Sequence, residues 1–178
     1  MGDWDRALTE LERQTVAAAQ RKAEVLYEGR LVRHRSCGVA MAETFGLPTA
    51  PYQALRRGGI TGCGECGVVV SGRLVLGQWF GDPDPSGAVT EPLRAAATEY
   101  EARWRGRVDR GAAGDAVVCN ALVAQFPDFA GPARARFCTG LAAAVAGLVA
   151  EVILRNGGEL RIAPVPEDDR VTDSSRAP

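Results

Sequence analysis

The chain has 178 residues, a formal net charge of −1 and a pI near 5.9. All its basic residues except Lys22 and the single His34 are arginine. That length builds one hydrophobic core without disulfide staples. The near-neutral balance offers no cationic footprint to a phosphate backbone, so nucleic acid is not an expected partner.

In residues 3–28 the apolar positions Trp4, Leu8, Leu11, Ala18 or Ala19, Ala23 and Leu26 recur at helical spacing, with Asp3 as N-cap and Gly29 as stop. The opening Met-Gly-Asp-Trp-Asp-Arg has neither a basic n-region nor an apolar h-region, so no secretory signal is read and the expected compartment is the reducing cytosol. A second helix is expected from about residues 33–36 to Phe45, closed by Gly46 and Pro48, with Cys37 in phase with Met41 and Phe45. On such a helix His34 and Cys37 would share a side, although a structural histidine is the default reading.

Glycines at 58, 59, 62, 64 and 67 then make an irregular passage in which backbone approaches its neighbours closely. Residues 68–80 fit a strand through Val68, Val69 and Val70, but Gly72, Leu74, Leu76 and Gly77 favour a buried helix. Residues 81–87, with two Asp-Pro steps, are a loop. A third amphipathic helix is expected over 90–108, with Leu93, Ala97, Tyr100 and Trp104 on one stripe and Pro92 in its first turn.

Residues 109–114 read as a turn, and Asp115 as the cap of a helix carrying Val118, Cys119, Leu122, Val123 and Phe126. After a break at 127–132 the last helix spans about 133–156 and carries Cys138 one turn before Leu141 and Ala142. Its apolar run, 141–154, is too short for a membrane span and is interrupted by Gly147 and Glu151, so no membrane is expected. Residues 157–178, rich in proline and charge, read as a flexible tail following a helical domain over 1–156. The fold class is all-α, a helical bundle.

Chemistry concentrates in the five cysteines, an odd number, at 37, 63, 66, 119 and 138. Any one of them alone reads as a small core hydrophobe. Cys63 and Cys66 differ, because Gly62-Cys63-Gly64-Glu65-Cys66-Gly67 surrounds them with residues that build no core. A C-x-x-C opening a helix gains thiolate character from the helix N-terminus, and Arg56 and Arg57 add positive charge, while Glu65 opposes them. The same spacing serves a disulfide turn, thiol exchange or two ligands on one metal. The second pair, Cys119 and Cys138, lies too far apart in sequence for a zinc ribbon, but four thiolates from separate helices suffice for an iron–sulfur cluster.

Glu43, Glu65, Glu99 and Glu101 show no paired-carboxylate spacing and read as solvated helix faces. Gly62-x-Gly64-x-x-Gly67 matches a dinucleotide fingerprint in form only, with no preceding strand or βαβ context.

In the order of its cysteines the chain resembles the redox-active family named for its C…GCAxxG…C…C pattern. Cys37 in Ser36-Cys37-Gly38-Val39-Ala40, followed by Phe45-Gly46-Leu47, is similar to the first motif, and Gly58-Gly59-Ile60 with the glycine-flanked C-x-x-C to the second. Cys119-Asn120-Ala121-Leu122-Val123 with Phe126 and Phe129, and then Cys138 on its Ala/Val-rich helix, are similar to the last two. The central cysteine is Cys63 by the literal pattern, or Cys66 if Cys66-Gly67-Val68 is the counterpart. The resemblance covers about 37–156 and implies a helical fold with a redox role.

The expectation is a cytosolic thiol redox protein in which Cys63 or Cys66 attacks a disulfide or persulfide, and its neighbour or Cys37 resolves the intermediate. Its partner would be a redox protein or a small thiol or disulfide, and self-association is left open. The alternatives are an iron–sulfur cluster or other thiolate-bound metal held by Cys37, Cys63, Cys66, Cys119 and Cys138, and a helical interaction module whose cysteines are only core.

Overall fold

A computed structural model describes residues 4–169. The chain forms helices α1 (Glu10–Glu28), α2 (Cys37–Thr44), α3 (Gly67–Phe80), α4 (Glu91–Arg107), α5 (Cys119–Val123) and α6 (Pro132–Arg155). No strand occurs among the described residues, only an isolated antiparallel bridge between Glu65 and Val118. The all-α expectation therefore holds.

Most helix limits follow from local chemistry. α1 starts later than the apolar spacing suggests, because Thr9 and Glu12 form a capping box: the Thr9 hydroxyl accepts from the Glu12 N–H at 3.2 Å, and the Glu12 carboxylate accepts from the Thr9 N–H at 2.7 Å. Asp3, the expected cap, lies outside the described residues. Gly29 does end α1, in the left-handed region at φ 75°, where its N–H reaches the Val25 carbonyl. The buried stripe is Val16, Ala19, Ala23, Leu26 and Tyr27, whereas Leu11, expected on it, is 73% exposed.

α2 begins at Cys37 and not at 33–36, since Cys37 takes φ 42° and residues 33–36 stay outside the helix. His34 and Cys37 therefore do not share a helix face. The 68–80 segment is helical from Gly67. α5 is a short turn whose N-cap position is Val118, and Asp115, expected to cap it, instead pairs with Arg110 at 3.1 Å.

α6 is the central element. It packs against α1, α2, α3 and α4, most extensively against α1. Its buried residues, from Leu141 through Val145, Leu148 and Val149 to Ile153, lie all round the helix, as expected for a helix enclosed by others. By length and composition alone it is also apolar enough to cross a bilayer, with a mean hydropathy of 2.1, and 56% of that apolar stretch is buried within the bundle.

α4 crosses α3 where Tyr100, fully buried, donates its hydroxyl to the Val69 carbonyl at 2.9 Å. Its neighbour Glu99 corrects the expectation of a solvated face: it is 0% exposed, held by Asn156 at 2.9 Å and Arg103 at 3.3 Å, with burial raising its pKa. Beyond α6, the first part of the stretch read as a tail packs back on the bundle. Leu160, Ile162 and Val165 contact the core, the Trp79 indole donates to the Glu159 carbonyl at 3.1 Å, and Asp169 pairs with Arg35 at 2.9 Å. Residues 170–178, the rest of that stretch, lie outside the described residues.

The α3–α4 contact needs a residue without a side chain, because a Cβ at Gly72 would run into the Tyr100 hydroxyl and ring. Gly72→Ala is expected to destabilise the fold by about 1–3 kcal/mol through overpacking, measured by urea denaturation.

Candidate functional site

Helix starts carry three of the cysteines. Cys37 is the first residue of α2, Cys66 is the N-cap of α3, and Cys119 is the first residue of α5. Cys138 lies in the second turn of α6. All four line one cavity of about 250 Å³, together with Tyr27, His34, Val68, Leu122, Phe137 and Leu141 among others.

The glycine-rich passage brings them together. Gly64 donates to the Gly58 carbonyl at 3.0 Å and Gly62 to that of Arg57 at 2.8 Å, which folds the passage back on itself. The strand-like approach to α5 is then stitched to it. Cys66 donates to the Val117 carbonyl at 2.8 Å, Cys119 to that of Gly64 at 3.0 Å, and Asn120 to that of Gly62 at 2.9 Å. Side chains are excluded at the crossings: a Cβ on Gly67 would strike the Leu55 carbonyl, and one on Gly58 would lie 2.5 Å from the Cys119 Cβ. The passage also holds Arg57 and Ile60 at positive φ, 50° and 71°, an uncommon conformation for residues with side chains.

This packing splits the C-x-x-C. Cys66 is buried at the cavity wall, while Cys63 is exposed, does not line the cavity, and sits with its N–H on the Thr61 hydroxyl at 3.2 Å. Cys37, Cys119 and Cys138 are partly exposed. The charge of Cys37 would be felt by Cys66 and Cys119, and that of Cys138 by Cys37 and Cys119. The Tyr27 hydroxyl lies within hydrogen-bonding reach of Cys37 and Cys138, and burial followed by these two sulfurs raises its pKa.

Burial decides the protonation of the thiols. It pushes Cys66 up to about 12, although the Val68 and Val69 N–H groups at the start of α3 pull the other way. It pushes Cys119 up to about 11 against Arg57 and Arg134, and it raises Cys37 against the Arg57 N–H. The thiolate character expected of Cys66 from a helix N-terminus and nearby arginines is therefore outweighed by desolvation. At neutral pH these are protonated thiols.

Arginines stand at the rim. Arg57 and Arg134 both lie over the ring of Phe129, at 4.9 and 4.5 Å from its centroid, and Arg56 donates to the Ser36 hydroxyl at 2.7 Å. His34 is fixed by its Nδ1 on the Tyr27 carbonyl and by its edge-on ring contact with Tyr27 at 5.0 Å. Among the described residues, no group of three or more His, Cys, Asp and Glu side chains is placed to hold a metal ion. The sulfurs share a cavity wall without closing into a ligand shell.

Compared with family models, curated proteins and solved structures, the chain matches none. The site therefore rests on its own geometry. Tyr27, Phe129 and Arg134 belong to it and were not singled out as site residues by spacing. Tyr27 reads as core because it continues the buried stripe of α1, and Arg134 lies at an ordinary helix start. The one local signal is that both Tyr27 and Arg134 sit within the terminal turn of a helix.

Burial of thiols has a consequence for stability. The ordinary thiol pKa is near 9, and that of Cys66 in the fold is about 12, so above pH 9 the unfolded chain loses this proton first. Stability must then fall as pH rises between those values, by up to about 1.4 kcal/mol per pH unit for one such group. Urea denaturation between pH 8 and 10.5 is expected to show a shallower decline in Cys66→Ala than in the wild type.

Proposed function

We propose that the protein is a cytosolic thiol redox protein that exchanges disulfides inside this cavity. The observation that carries the reading is the convergence of Cys37, Cys66, Cys119 and Cys138, distant in sequence, on a single cavity of about 250 Å³. Buried single cysteines need no common site, whereas exchange needs two sulfurs within reach of one substrate. The redox role that the family resemblance implies agrees with this reading. The metal or iron–sulfur reading has no assembled ligand set to stand on among the described residues.

Cys119 is assigned the attack. It is partly exposed, and both rim arginines, Arg57 and Arg134, favour its thiolate. Cys37, whose charge is felt at Cys119 ahead of that of Cys138, is assigned the resolving step. The Cys119 sulfur, once deprotonated, attacks one sulfur of the substrate disulfide. The substrate S–S bond breaks, a mixed disulfide forms, and the released thiolate takes up a proton. Cys37 then gives up its proton, attacks the Cys119 sulfur and expels the second thiolate. Two pocket thiols have become one disulfide, and the substrate disulfide has become two thiols. A dithiol donor returns the pocket to its reduced state. Cys63 takes no part in this cycle, and Cys66 lines the floor of the site.

Incubation of the protein in graded mixtures of reduced and oxidised dithiothreitol, followed by acid quenching, alkylation and peptide mapping, tests the reading. A Cys37–Cys119 disulfide is expected, with Cys63 still alkylated, and its formation is lost in Cys37→Ser and Cys119→Ser but not in Cys63→Ser. Because Cys119 titrates near 11, the rate of oxidation should rise nearly tenfold per pH unit between 7 and 9. If all the cavity thiols remain alkylatable after denaturation at every mixture, the reading fails.

A further inference from the structure

The rim of the cavity carries arginine charge that no carboxylate pairs with among the described residues. Arg56, Arg57 and Arg134 line it, and no Asp or Glu does. Among the described residues none of these three arginines is in an ion pair; Arg6, Arg35, Arg73, Arg103, Arg105 and Arg107 each have a carboxylate partner, whereas Arg21, Arg33, Arg136 and Arg161 also have none.

Two of them are held close to one another. Both guanidinium groups lie over the same Phe129 ring, so their charges are separated by no more than about 10 Å, the Debye length at 0.1 M salt. Arg134 is further fixed by donating its Nε to the Phe129 carbonyl at 2.6 Å, which leaves its terminal nitrogens free. Like charges placed this way repel, and a bound anion relieves that repulsion. Planar guanidinium donors match carboxylate oxygens, and the flat Phe129 ring with Leu122, Val123 and Phe137 offers apolar contact to a short carbon chain.

Position and size narrow the ligand. The fields of Arg57 and Arg134 reach Cys119, and that of Arg134 also reaches Cys37, so an anion on the rim lies beside the sulfurs. A cavity of about 250 Å³ is below the usual range for drug-sized ligands and far too small for a folded protein segment.

We infer that the substrate is a low-molecular-weight disulfide bearing carboxylates, its charged end held by Arg57 and Arg134 while its S–S bond faces Cys119. This rests on the exchange reading above and adds to it the charge and size of the partner. The reaction is the balanced exchange already given, with the substrate reduced to two thiols and two cavity thiols oxidised to a disulfide.

Three small disulfides with the same reactive bond separate the two claims: dianionic 3,3′-dithiodipropionate, neutral 2-hydroxyethyl disulfide and dicationic cystamine. The rate at which each oxidises the reduced protein is divided by its rate with free dithiothreitol at the same pH and salt. The expected order is dithiodipropionate fastest and cystamine slowest, by about tenfold or more between the extremes, as electrostatic steering allows. This order should collapse in 0.5 M NaCl and in the Arg57→Gln, Arg134→Gln double variant, whose helicity and thermal midpoint are measured alongside. The salt arm uses the wild-type protein, so it decides the matter even if the variant is poorly folded. Equal normalised rates for all three, with the Cys37–Cys119 disulfide formed each time, would overturn the anion preference and leave exchange standing. Failure of all three to oxidise the cavity thiols would overturn both.

Discussion

The site depends on one set of backbone contacts, the stitch between the glycine-rich passage and the segment that leads into α5. Three N–H groups, those of Cys66, Cys119 and Asn120, are satisfied by carbonyls across this crossing. Two of the three belong to cysteines, so the hydrogen bonds that close the loop also fix two of the sulfurs. Buried backbone groups must find partners, and here the obligation does the positioning. Gly58 and Gly62 let the two chain segments come that close, since a Cβ on either would strike Cys119 or Asn120.

Two influences act on the thiols gathered there. Helix starts and arginines favour a thiolate, while burial in a mostly apolar wall opposes it, and for Cys37, Cys66 and Cys119 burial is the larger. A protonated thiol is slow to attack, but once deprotonated it is the stronger nucleophile because its pKa is high. The proposed chemistry is accordingly that of a guarded site. Under that proposal, the buried sulfurs would meet oxidants in bulk water slowly and a molecule that fits among Arg57, Arg134 and Phe129 more readily.

Much of the helical architecture was legible in the sequence. Apolar spacing locates α1 and α4, an apolar run locates α3 and α6, and glycine and proline mark the breaks. Limits decided by particular contacts were not. The late start of α1 depends on the reciprocal Thr9–Glu12 cap, and the late start of α2 on the positive φ of Cys37. Glu99 reads as solvated because a carboxylate among helix polar residues usually is, and only the tertiary partners Asn156 and Arg103 allow its burial. For the site, the special character of the glycine-flanked cysteines was readable. The division of that pair into an inward Cys66 and an outward Cys63 was not, since it follows from which backbone groups find partners across the crossing. Residues 157–169 look like tail by composition, but Leu160, Ile162 and Val165 find apolar surface to cover.

The central place of α6 also bears on how the protein comes into being. Its neighbours α1, α2, α3 and α4 all precede it in the chain, yet each rests against it. A ribosome therefore releases most of the bundle before the element that organises it. Until α6 emerges, the earlier cysteines have no wall to shelter them, and contacts between residues so far apart in the chain form slowly. During the interval between synthesis of Cys37 and arrival of Cys138, the earlier thiols lack the part of the cavity wall that α6 supplies. A reducing environment, or a chaperone that shields the nascent helices, matters most during that interval.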